Sequence, residues 1–241
     1  MFRPAMTDIC LVRPDATLHG TRMGSGRPIL LLHAGGEDRR VWTPVAASIC
    51  AEGFTSIAYD LRGHGDSDSG PACDLTSFAG DVAAMIDALP NGVVVVGASL
   101  GGLAALLTLA DPRMQALVAG FVLVDVVPDP PWQQTKHFLR ETLGDRADEP
   151  LVDDILARAA QLRLIAAGLR LPTLLLHGAS SPVTADDVER LRNLVPTLMV
   201  AVIPRSGHLI ARDAPSALAA AVVRFANVED VAARHRRIAG H

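Results

Sequence analysis

Short, unbroken apolar runs alternate along the chain with longer stretches in which apolar residues recur every three or four positions. The runs are Pro28-Ile29-Leu30-Leu31-Leu32-His33, Thr55-Ser56-Ile57-Ala58-Tyr59, Val93-Val94-Val95-Val96, Phe121-Val122-Leu123-Val124-Asp125, Pro172-Thr173-Leu174-Leu175-Leu176-His177 and Leu198-Met199-Val200-Ala201-Val202-Ile203. Each is expected as a strand, Pro28–His33 as a buried one and the last three as fully buried central strands. The intervening stretches predict helices over 39–51, 75–89, 103–109, 149–166, 185–194 and 214–226, with a last short one over 230–238. This order is that of βαβ units around a mainly parallel sheet. The opening differs, because Ile9–Val12 and Ala16–Arg22 flank the turn residues Pro14-Asp15 and predict an antiparallel pair. The expected architecture is therefore an α/β fold with eight strands, mostly parallel, and helices on both faces.

Composition narrows the class. With 241 residues, 49% of them hydrophobic, the chain can fill one large core without a second domain. A net charge of −4 gives no reason to expect a nucleic-acid partner, and the basic patch Arg234-His235-Arg236-Arg237 reads as a solvated helix end. The three cysteines, Cys10, Cys50 and Cys73, form no CxxC pair, and no HxH or HExxH spacing occurs, so neither a metal nor a redox site is expected. The segment Met1–Met6 lacks the apolar core of a secretory signal, and no apolar run is long enough to span a membrane. A cytoplasmic protein acting without a membrane partner is the expectation.

Candidate chemistry lies where the third apolar run after the opening pair meets its helix. Gly97-Ala98-Ser99-Leu100-Gly101 directly follows four valines and precedes a small-residue helical pattern. A serine hydroxyl is a weak nucleophile at neutral pH, and it needs to stand clear of the backbone, beside a base and facing N–H donors. A sharp strand-to-helix bend achieves this, with glycines two before and two after the serine removing side chains that would collide. A dinucleotide-binding turn would need GxGxxG, which this segment lacks.

Further motifs follow in a fixed order. His33-Ala34-Gly35-Gly36, with Trp42 behind it, resembles an HG oxyanion loop. Tyr59-Asp60-Leu61-Arg62-Gly63-His64-Gly65-Asp66-Ser67 resembles a D-x-R-G-x-G-x-S turn, and Ser206-Gly207-His208 follows the last strand. Together with the elbow these motifs resemble the α/β-hydrolase superfamily over nearly the whole chain. The resemblance implies the α/β-hydrolase fold, with a core of residues 1–128 and 169–241 and a small helical lid and crossover, 129–168, between strands six and seven. It also implies that Ser99 attacks a carbonyl, that His208 is its base, and that the backbone N–H groups of Leu100 and of Gly35 or Ala34 form the oxyanion hole. No cofactor is implied. His33, His64 and His177 sit in tight turns of these motifs and are expected to order loops.

The acid departs from the commonest pattern. Many relatives carry it three residues beyond the glycine of an HGxxD segment, where this chain has Ser181 within His177-Gly178-Ala179-Ser180-Ser181-Pro182. Other relatives place it at the end of the preceding strand, and here that residue is Asp125. A carboxylate ending an apolar buried strand would be costly without a partner, which His208 could supply. Asp125 is the expected acid, with Asp129 and Asp186 as the other candidates.

The insertion 129–168 is expected to set substrate choice, with 131–143 as an amphipathic lid helix. Trp132, Phe138, Leu139 and Leu143 either line the pocket mouth or pack that helix onto the body, and Trp42 is a candidate pocket wall or core filler. Glu37-Asp38-Arg39-Arg40 reads as a charged helix start near the entrance. The function so implied is hydrolysis of a carboxylic ester, lactone or thioester of a small, mainly apolar molecule. Carbon–carbon bond hydrolysis and cofactor-free perhydrolysis use the same triad, and a non-catalytic ligand receptor on the same scaffold is the alternative outside catalysis.

Overall fold

A computed structural model describes residues 5–129 and 149–239. Eight strands form one sheet in the order β1-β2-β4-β3-β5-β6-β7-β8: β1 (Met6–Val12), β2 (Thr17–Gly24), β3 (Pro28–Leu32), β4 (Thr55–Tyr59), β5 (Val93–Ala98), β6 (Val118–Val124), β7 (Thr173–Gly178) and β8 (Leu198–Ile203). β2 runs antiparallel to β1 and β4, and all other pairs are parallel. The opening pair closes through Arg13 N–H donating to Ala16 O at 2.8 Å.

The helices are α1 (Thr43–Ala51), entered through the 3-10 turn Arg39–Trp42, α2 (Leu75–Asp87), α3 (Leu100–Thr108), α4 (Pro112–Leu117), α5 (Glu149–Ala157), α6 (Ala159–Ala167), α7 (Ala185–Leu194), α8 (Ile210–Asp213) and α9 (Pro215–Ala239). Because successive strand residues point to opposite faces, the sheet feeds two cores. Leu30, Leu32, Val95, Leu123 and Leu175 pack with α2, α3, α6 and α7, whereas Ile29, Leu31, Val96, Val124 and Leu176 pack with α1, α8 and α9.

Several boundaries differ from the sequence reading. β8 is an edge strand paired only with β7, with Val202 54% exposed; its apolar composition cannot distinguish an edge from a centre. The expected helix 149–166 is interrupted at Arg158, whose N–H is shared between the carbonyls of Asp154 and Ile155 at 3.2 and 3.1 Å. The stretch before the break is tethered to the start of α2, since Asp154 Oδ2 accepts the Leu75 N–H at 3.0 Å while Oδ1 accepts from Arg158 at 2.8 Å. The two helices expected near the C-terminus are one, because nothing between Asn227 and Asp230 breaks a helix. α4 was not anticipated, although Asp111 as N-cap and Pro112 at the first helical position signal it, and Asp111 Oδ1 does accept the Arg113 N–H at 2.8 Å. The expected lid helix 131–143 lies outside the described residues.

Candidate active site

The carboxyl ends of β3, β5, β6 and β8 meet at one rim of the sheet, where open α/β sheets place their ligands. β5 ends at Ala98 and α3 begins at Leu100, so Ser99 alone makes the turn. Its φ of 45° and ψ of −112° are strained by on the order of 1–3 kcal/mol for a residue with a side chain. The surroundings hold it there: Ser99 N–H donates to Val124 O at 3.2 Å, and Leu103 N–H donates to Ser99 O at 3.0 Å. A Cβ on Gly97 would lie 2.5 Å from Gly102 Cα, and one on Gly101 would lie 2.7 Å from Leu32 Cβ. These are the two glycines that the sharp strand-to-helix bend requires. Gly102 adds a third close approach, 2.7 Å from Val126 Cγ1.

Asp125 follows β6 in the left-handed region, with φ of 54°, a conformation that aspartate tolerates better than most residues. Its carboxylate is buried and fully engaged. Oδ1 accepts the Gly178 N–H at 2.8 Å, and Oδ2 accepts both the Ser181 hydroxyl at 2.7 Å and the Nδ1–H of His208 at 2.8 Å. An ionised carboxylate only accepts, so the proton of neutral His208 sits on Nδ1 and the ring lone pair on Nε2. Ser181, three residues beyond Gly178 in the HGxxS segment, thus donates to the Asp125 carboxylate. The sequence shows the absence of an acid at 181, whereas nothing in it signals the hydroxyl bond.

Asp129 and Asp186 are placed otherwise. Asp129 Oδ2 faces Arg163 and Arg190 at 3.8 and 3.9 Å, and Asp186 is exposed in the first turn of α7.

The loop after β3 approaches the elbow directly. Gly101 N–H donates to His33 O at 3.2 Å, and a Cβ on Gly35 would touch Leu100 Cδ2 and Cβ at 3.7 and 3.8 Å. Ala34 N–H is already engaged by Glu37 Oε2 at 3.4 Å. His33 orders the same loop from below, with Nε2 accepting the Leu61 N–H at 2.9 Å and Nδ1–H donating to Ala34 O at 2.8 Å. Leu61 is fixed in turn by its neighbours. Asp60 accepts the N–H groups of Arg39 and Asp66 at 2.6 and 2.8 Å and the Arg39 guanidinium, while Arg62 grips Asp81 of α2 with two bonds at 2.7 and 2.8 Å. The buried Asp81 carboxylate and its neighbours hold the Arg62 guanidinium above its usual pKa.

Burial pushes the His33 imidazole down from 6.5 to about 4, against the bond to Ala34 O. The unfolded chain therefore takes up this proton near pH 6.5, whereas the folded chain resists it until about pH 4. Between those values the unfolded state binds more protons, so stability falls as the pH falls. At about 1.4 kcal/mol per pH unit the loss is on the order of 3 kcal/mol across the window. Urea unfolding at pH 7 and pH 4.5 measures it, and His33→Gln, which keeps a donor and an acceptor, should flatten that part of the slope; an unchanged slope in the variant rules His33 out as its source.

Trp42, considered as a pocket wall, is fully buried between the sheet and α1 and fills the core instead. Trp132, Phe138, Leu139 and Leu143 lie outside the described residues. Among the described residues no three His, Cys, Asp or Glu side chains cluster as metal ligands, and no helix is long and apolar enough to cross a membrane. The residue most nearly missed is Glu37, read as part of a charged helix start yet buried beside the loop carrying Gly35.

Comparison with known proteins adds a family match. Residues 27–163 match the family described as alpha/beta hydrolase fold. The chain is 26% identical over 259 residues to 2-(acetamidomethylene)succinate hydrolase of Mesorhizobium japonicum, covering 87% of this chain and 91% of that protein. Protein phosphatase methylesterase 1 of Mus musculus is 36% identical over 114 residues, 44% of this chain. The chain spans only 29% of that protein's length, and 27% of an uncharacterized protein of Mycobacterium tuberculosis that it matches at 40% identity over 94 residues. In fold, the crystal structure of E-2-(acetamidomethylene)succinate hydrolase superposes with a TM-score of 0.78 at 22% identity, covering 92% of this chain and 100% of that one.

Proposed function

The chain belongs to the alpha/beta hydrolase fold family, and from that premise we propose that it is a serine hydrolase cleaving a carboxylic ester, lactone or thioester of a small, mainly apolar molecule through an acyl-enzyme. The observation that carries this reading is the bond between His208 Nδ1 and Asp125 Oδ2 at 2.8 Å, at the same rim as the strained Ser99. Relatives named as a methylesterase and as a succinate-derivative hydrolase support the reaction class.

In this reading His208 Nε2 takes the proton of the Ser99 hydroxyl as Oγ attacks the carbonyl carbon, and Asp125 stabilises the imidazolium that forms. The tetrahedral oxyanion is met by the backbone N–H groups of Leu100 and Gly35, donors that are preorganised and so cost no rearrangement as charge develops. His208 then returns its proton to the leaving alcohol or thiol. Water repeats the sequence on the acyl-enzyme. The wide spacing of Cys10, Cys50 and Cys73, with no CxxC pair, favours a reducing, cytoplasmic setting.

The test is pre-steady-state hydrolysis of a chromogenic short-chain ester, with mass spectrometry after a fluorophosphonate probe. A burst of product close to one equivalent and a single adduct on the peptide containing Ser99 are expected. Turnover with the adduct elsewhere removes Ser99 as nucleophile. Tight ligand binding with neither burst nor adduct makes the chain a binding protein on a hydrolase scaffold.

A further inference from the structure

Glu37 is a buried carboxylate that the chemistry above does not use. Its side chain is 5% exposed, and it closes the loop carrying Gly35 from both ends: Glu37 N–H donates to Ala34 O at 3.1 Å, and Oε2 accepts the Ala34 N–H at 3.4 Å. Oε1 meets the Nε of Arg212 at 2.7 Å. Arg212 stands four residues beyond His208, on α8, and its neighbour Asp213 accepts the Gly207 N–H at 2.8 Å. One side chain therefore links the segment that offers an N–H to the substrate oxygen with the segment that carries the ring.

A carboxylate this deep would be costly alone. Burial raises its pKa, and the Arg212 guanidinium and the Ala34 N–H oppose that rise. Arg212 itself is half exposed, and an ion pair with one wet partner adds little to stability. Its value lies in geometry, because a donor displaced by about 1 Å costs on the order of 10²-fold in rate.

Resting on the serine-hydrolase reading, we propose that Glu37 is a positioning residue that, through Ala34 on one side and Arg212 on the other, fixes the Gly35 N–H relative to His208. Glu37→Gln keeps an acceptor for Ala34 but loses the charge that holds Arg212, and Arg212→Met removes the other end of the same link.

The experiment is a double-mutant cycle on these two positions, read as kcat and KM for a chromogenic ester. Each single variant should lower kcat roughly tenfold with KM within about twofold of wild type, and the double variant should be no slower than the slower single. A kcat for Glu37→Gln within twofold of wild type, additive losses, or a loss carried by KM alone overturns the proposal. If Glu37→Gln does not fold, the half-exposed Arg212→Met decides by the same thresholds on kcat and KM. Wild-type protein that neither turns over nor labels at Ser99 sinks the hydrolase reading and this one together, whereas full wild-type turnover with unaffected variants sinks this one alone.

Discussion

Ser99→Ala should lower kcat for a chromogenic ester by about 10⁶-fold and abolish the fluorophosphonate adduct, while melting temperature and near-ultraviolet dichroism stay close to wild type. The magnitude is that of removing the nucleophile from a serine-histidine-aspartate set, in which the members act as a unit and losing one loses most of what the set supplies. The fold is spared because the turn is held by contacts that do not involve the hydroxyl. Ser99 N–H and C=O keep their backbone partners, and the three glycines around the turn still admit the close approach of β5, α3 and the β6 end. Residual hydrolysis above about 1% of wild type, with normal labelling elsewhere, would mean that another group attacks.

Asp125→Asn should cost about 10⁴-fold in kcat, the size of the loss seen when the orienting charge is removed in serine proteases. Asparagine is the informative replacement because it accepts the left-handed backbone at position 125 at least as readily as aspartate, so the turn survives. Its carbonyl can still accept the Gly178 N–H. Its amide, however, presents N–H where Asp125 Oδ2 now accepts from His208 and Ser181. The ring then moves its proton to Nε2 and can no longer receive one from Ser99. Activity within tenfold of wild type, together with collapse in Asp186→Asn or Asp129→Asn, would transfer the role of acid to one of those residues.

The legible part of this molecule was what backbone geometry dictates locally. An apolar run followed at once by Gly-x-Ser-x-Gly leaves few alternatives to a bend, and β4 from Thr55 to Tyr59 and β8 from Leu198 to Ile203 have the predicted limits. Asp125 could be singled out because a charge ending a buried strand demands a partner. What stayed hidden depends on neighbours distant in sequence. The edge position of β8 follows from sheet order, which its own apolar residues do not encode. The buried Glu37 carboxylate meets Arg212, 175 residues further along the chain, and a Glu-Asp-Arg-Arg run otherwise looks like a solvated helix start. For Trp42, where the sequence offered a core filler or a pocket wall, burial in the core decides for the first.

The hydroxyl of Ser181 lies 2.7 Å from the oxygen of Asp125 that also meets His208. Residues following two neighbouring strands therefore meet at one carboxylate oxygen, the same oxygen that faces the imidazole. A lineage could hold a carboxylate at both positions for a time and then discard either without rebuilding the base or the nucleophile.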